Sequence, residues 1–171
     1  MNDILNKLGE GDYRSIGKAN EVVNDILRDE ALFAAVFHGM LSSNGLIRMR
    51  SADVVEKVTR LRPYLLQPFK ELLLTKISMS NQQEVRWHFA QMSSRLILNK
   101  SETELLLLTL VDYTNDKSRI VVTSSIQAIA DIARRDNTYK VKAIAVICKL
   151  VSIGSPAVIN RGRKLLLELQ N

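Results

Sequence analysis

Five stretches of the chain repeat one arrangement of apolar and small residues. Counting from a first position, the pattern places a small residue four later and apolar residues seven, eight and eleven later. The stretches are Ser15/Ala19/Val22/Val23/Ile26, Ile47/Ser51/Val54/Val55/Val58, Val85/Phe89/Met92/Ser93/Leu96, Val121/Ser125/Ala128/Ile129/Ile132 and Val158/Gly162/Leu165/Leu166/Leu169. Their starting positions step by 32, 38, 36 and 37 residues. An α-helix turns about 100° per residue, so these offsets gather all five side chains on one helical face. The small residue at the second slot predicts close approach of a neighbouring helix. Phe89 is the exception there and is expected to push that neighbour outward or fill a gap.

Start signals recur in register with these faces. Asp12, Asn44, Ser118 and Ser155 lie three residues before the first position and Asn81 four before. All are side chains that accept hydrogen bonds from the unpaired N–H groups of a first helical turn. Pro156 suits the first position of a helix. Four further helices are predicted between them, at 31–41, 64–77, 104–113 and 139–151, and their apolar content reads as deeper burial. Ser101 and Glu104 fit a capping box for the third of these, and Pro68 predicts a kink near Gln67 in the second. Short polar links (SSNG, SMSNQ, TNDK, IGSP) join each pair, as neighbouring antiparallel helices require. A short helix near 2–8 and a helix over 13–28 precede the four pairs.

The expected fold is therefore all-α: an α-solenoid of about four and a half antiparallel helix pairs with a period of 36–38. Residues 1–171 are read as one domain, comprising a half-repeat at 2–28 and repeats at 30–61, 63–98, 102–135 and 138–170. One such pair cannot bury its own apolar faces, so stacking neighbours must cover them.

The repeat length and element order resemble those of HEAT-repeat, armadillo-like α-solenoids over roughly residues 12–170. Ile47-Arg48 and Val85-Arg86 look like the Val-Arg pair that HEAT repeats often carry early in their second helix, whereas Val121-Val122 and Val158-Ile159 depart from it. The segment 61–73 (LRPYLLQPFKELL) is similar to the proline-containing first helix of many such repeats. The resemblance implies a fold used by scaffolds, transport adaptors, regulatory subunits and a few nucleic-acid enzymes, and so says little about function.

Composition changes this picture only modestly. The 171 residues are 46% hydrophobic and 25% charged, with 7 Gly and 3 Pro, which fits a folded helical protein. Charge is unevenly spread: residues 1–44 hold 4 Lys/Arg and 7 Asp/Glu, residues 45–171 hold 20 and 11, netting −3 and +9. Such a basic body attracts nucleic acid or acidic proteins at long range. The single Cys148 precludes an internal disulfide and, with no signal-like N-terminus and no apolar run of membrane-spanning length, points to a cytoplasmic protein.

No chemistry of catalysis is visible. His38, His88 and Cys148 fall on separate predicted helices in no ligand-type spacing, so neither a metal nor another cofactor is expected. A nucleophile elbow and a phosphate-binding glycine loop are both missing. The chain is expected to be no enzyme and to take no small-molecule substrate. Its partner is expected to be another protein, met on the concave face lined by the second helix of each pair. Outward positions there supply Met49, Trp87, Thr123 and Asn160, then Gln91, Gln127 and Lys164, with Arg50, Arg86 and Arg95 forming a flanking basic ridge. Trp87 is the expected anchor, because tryptophan is enriched at interface hot spots. The alternative is a nucleic-acid binder related to the HEAT-like glycosylases that remove alkylated bases. That resemblance implies several groove aromatics and an acid, but here Trp87 is accompanied only by Asp53, read as distant.

Overall fold

The computed structural model describes residues 2–170, and among them every regular element is helical. Ten α-helices follow in chain order: α1 (Asn2–Gly9), α2 (Ala19–Arg28), α3 (Phe33–Gly39), α4 (Gly45–Leu61), α5 (Lys70–Thr75), α6 (Gln83–Ser93), α7 (Lys100–Tyr113), α8 (Arg119–Arg135), α9 (Lys140–Ile153) and α10 (Pro156–Gln170). Short 3₁₀ turns at Glu30–Leu32, Pro63–Phe69, Ile77–Met79 and Asn137–Tyr139 lead into or out of them. Among the described residues no helix is long and apolar enough to cross a membrane. The helices pack as two compact units, one ending at Leu96 and the other beginning at Ile97.

In the first unit α4 is the hub, packed against α1, α2, α3 and α6. Its start is fixed by Asn44, whose side chain accepts from the N–H groups of Leu46 and Ile47 at 2.9 and 3.4 Å. The repeated apolar face is buried: Val54, Val55, Val58, Val85, Phe89, Met92 and Leu96 are all 3% exposed or less. Phe89 fills the interior. Pro68 does more than kink its helix. Residues 63–69 run as a 3₁₀ turn, and α-geometry begins only at Lys70, because proline lacks the N–H that an α-helical turn needs. The ring of Phe69 just beyond it stacks on Phe37 at 4.4 Å.

The second unit is built around α8, which contacts α7, α9 and α10. Ten of its seventeen residues are buried, Ser125, Ala128, Ile129 and Ile132 among them. At the small-residue slot of α10, Gly162 lets α9 approach so closely that an added Cβ would lie 2.5 Å from Val151 Cγ2. The capping box of α7 sits two residues earlier than the Ser101/Glu104 expectation. Asn99 accepts from the Glu102 N–H at 2.9 Å while Glu102 accepts from the Asn99 N–H at 2.8 Å.

Further expectations fail: α6 is preceded by Gln82 rather than Asn81, with no side-chain cap bond, Ser118 makes none to α8, and the Ser155 hydroxyl finds no partner among the described residues. The helix read over 13–28 begins only at Ala19, and Asp12 accepts from the Arg14 N–H within a loop instead of capping it. In the second unit the intervening helices α7 and α9 are also less buried than α8. Among residues of α9 only Ala143 and Ile147 are buried, whereas Val141 is 81% exposed. On α7, Leu105 and Leu108 face solvent. α4 and α8 are flanked on several sides and hide polar residues as well, so burial does not follow apolar content.

Candidate functional site

The first unit carries a cleft of about 230 Å³ between the loop before α2, α4 and α6. Its walls follow from local register. With α4 begun by Asn44, Met49 and Asp53, four apart, project from the same face with Arg50 beside them. On α6 the spacing of three and four aligns Glu84, Trp87 and His88. The loop contributes Tyr13, Arg14, Ser15 and Ile16. Tyr13 and Ile16 are 62% and 48% exposed, and Met49 and Trp87 are half-buried. The cleft thus offers apolar surface on each wall.

Charged groups border that surface. Asp53 accepts from Lys57 Nζ at 2.7 Å and lies 3.8 Å from His88 Nε2. His88 is buried, tilts against the Trp87 ring at 5.1 Å between centroids, and pairs through Nδ1 with Gln91 Oε1 at 3.1 Å. Burial pushes its pKa below the usual 6.5, against the opposing pull of Asp53, Glu56 and Gln91, so the imidazole is neutral at pH 7. Glu84 accepts a hydrogen bond from Gln83 at 3.1 Å and makes no ion pair with any described residue.

The structure brings Met49 and Trp87 together as expected and adds Asp53, which is not distant. It dismantles the basic ridge. Arg50 is 1% exposed, its guanidinium turned inward onto the carbonyl oxygens of Leu8, Glu10, Asp12 and Ser15. A charged side chain so placed touches no partner. Arg95 is directed at the buried carboxylate of Glu56 at 2.5 Å and also donates to Glu56 O and Thr59 Oγ1. Burial alone would raise the Glu56 pKa, but hydrogen bonds from Arg60 and Arg95 overcome it and hold the carboxyl below its usual 4.5. Arg86 donates to Ser80 O at 2.7 Å, as Arg48 does to Ser42 O, so both tie α6 and α4 to their preceding turns. Gln91 is exposed beside His88.

In the second unit, Asn160 and Lys164 are exposed on α10 while Thr123 and Gln127 are half-buried on α8. The Thr123 hydroxyl donates to its own helix at Arg119 O, and Gln127 bridges Asp131 and Arg161 at 2.9 and 3.1 Å. Cys148 is exposed rather than packed. Among the described residues no three His, Cys, Asp or Glu side chains converge as a metal site would need.

Sequence reasoning missed Tyr13, Arg14 and Ile16 because it placed them in a helix. Gly11 and Gly17, both with positive φ, were the available signal. It also missed Glu84 and gave His88 only a structural role. No protein-family model matches the chain, and no curated protein matches it significantly.

Proposed function

We propose that the chain is a non-enzymatic interaction module, an α-solenoid of HEAT-like helix pairs, that binds another protein through the Trp87 cleft. The observation that carries this reading is the convergence of Met49, Trp87, Tyr13 and Ile16 on one cleft, each with surface left open. Large aromatic side chains held in such a recess are the groups on which interface affinity concentrates. The cleft holds space for about one large side chain of a partner. Glu84, unmatched by a cation among the described residues, and Arg14 on the facing loop offer charges to groups flanking that side chain. Support for the repeat architecture comes from the buried recurrent face, from the packing of α4 on α6 and of α8 on α10, and from the matched Arg48 and Arg86 bonds.

Selection from a random peptide library tests the reading without a known partner. Selected peptides should share a large apolar residue, and Trp87→Ala should weaken them on the order of 30-fold, equivalent to about 2 kcal/mol. Peptides that bind the Trp87→Ala variant as tightly as the parent would refute it.

A second reading gains one observation. Asp53 and Trp87 share a cleft, the acid-and-aromatic combination that a base-recognising protein needs. Titration with duplex DNA at two salt concentrations separates the readings. An interaction module shows only weak, steeply salt-dependent association, in the range of about 10⁻⁴–10⁻⁶ M. Tight binding that survives added salt favours nucleic acid.

A further inference from the structure

The loop between α1 and α2 has little to hold it. Residues 11–17 are all exposed, and the side-chain hydrogen bonds within them are two local ones, Asp12 Oδ1 accepting from the Arg14 N–H and Ser15 Oγ from the Gly17 N–H. Gly11 and Gly17 bracket it with φ of 86° and 50°, a backbone region that disfavours other residues. Beneath it lies Arg50 of α4, at 1% exposure the largest fully buried side chain.

All three guanidinium nitrogens of Arg50 face this loop. Nη1 donates to Leu8 O at 2.9 Å and to Glu10 O, Nη2 to Asp12 O at 2.8 Å and Ser15 O at 3.1 Å, and Nε to Ser15 O at 3.3 Å. No carboxylate among the described residues pairs with it. A buried cation is tolerated only when its donors are satisfied, and here the loop carbonyls of Glu10, Asp12 and Ser15, with that of Leu8 at the end of α1, do all of that work. The coupling runs both ways: the loop neutralises the burial cost of Arg50, and Arg50 fixes the loop.

We propose that residues 10–17 form a strap that Arg50 holds down as one wall of the Trp87 cleft, making Arg50 the positioning residue of that cleft. Tyr13 and Ile16 ride on the strap, so the shape of the cleft is set from beneath by a side chain that meets no ligand. The strap stands on its own geometry, while its value to recognition rests on the cleft being the binding face.

The test uses the intact chain and no partner. Trypsin cuts after Arg14 and Lys18 only when the strap lifts, and Trp87, the single tryptophan, reports whether acrylamide reaches the cleft. Two variants loosen the contact from opposite sides. Arg50→Met removes the donors. Gly17→Ala would place a Cβ 2.7 Å from Arg50 Cζ and Nη1, displacing the guanidinium from the loop's side. Both should speed cleavage at Arg14 on the order of tenfold and about double the quenching of Trp87, with helix content by circular dichroism unchanged. Should Arg50→Met fail to fold, Arg50→Lys, which keeps the charge but not the five-donor fork, decides, because Gly17→Ala also strains the backbone at φ 50°. Parental cleavage and quenching in the folded variants overturn the strap, whatever peptide selection shows at Trp87.

Discussion

Replacing Gly162 by alanine tests whether the recurrent small residue exists to admit a neighbouring helix. An exposed glycine inside a helix is a weakness, and alanine there stabilises by about 1 kcal/mol through backbone entropy and helix propensity. At Gly162 the geometry opposes that gain. The new methyl would lie 2.5 Å from Val151 Cγ2 and 3.3 Å from Ile147 Cγ2, both on α9. Carbon atoms prefer about 3.5–4.0 Å, so α9 and α10 must separate by several tenths of an ångström or more. Overpacking of this kind costs about 1–3 kcal/mol. The net expectation is a loss of about 1 kcal/mol, read as a lower urea midpoint by circular dichroism with an unchanged slope. Val151→Ala alone should lose less than about 1 kcal/mol, because Val151 is only half-buried and part of its methyl surface already meets water. Combined, the two changes should cost less than their sum by about 1 kcal/mol, since one vacates the space the other fills. A stabilised Gly162→Ala protein, or strict additivity, would refute the close-approach argument.

Three other perturbations have definite signs. Arg95→Met leaves the Glu56 carboxylate, 3% exposed, with Arg60 alone and should destabilise by about 2–3 kcal/mol; Arg60→Met, at a side chain 64% exposed, should cost less than about 1 kcal/mol in the same melts. His88 binds its proton more weakly folded than unfolded, so the unfolded chain takes up protons first as pH falls. Stability should therefore drop as pH is lowered from 6.5 toward the depressed folded value, and His88→Gln should flatten that slope; an unchanged pH dependence would contradict the burial account. Asn99→Ala should cost about 1 kcal/mol through loss of the capping bond, and Ser101→Ala, whose hydroxyl only donates to Asn99, much less.

What the sequence revealed, and what it hid, divides along physical lines. Helices and their turns were legible because apolar period and polar links are local properties. The small slot was legible too, and Gly162 against Val151 shows what it accommodates. Capping was half legible: Asn99/Glu102 and Ser101/Glu104 both satisfy the box spacing, and only the folded register chooses between them. The loop at 11–17 was hidden because its anchor, Arg50, lies about forty residues away. Arg50 and Arg95 looked like surface residues because they are charged, yet they are satisfied inside by carbonyls and by the buried Glu56. Periodicity also assigned α4 an outward face, but with α1, α2, α3 and α6 around it little of that face is free. Trp87 and Met49 could be proposed from spacing alone; the facing wall of Tyr13 and Ile16 required the fold.

The claim that recognition occurs in this cleft is tested most directly by the emission of Trp87 during titration with a selected peptide. A saturable shift in intensity and wavelength, with a midpoint matching the affinity from calorimetry, is the predicted result. Calorimetric binding that leaves Trp87 emission unchanged would place the interaction elsewhere and contradict the account.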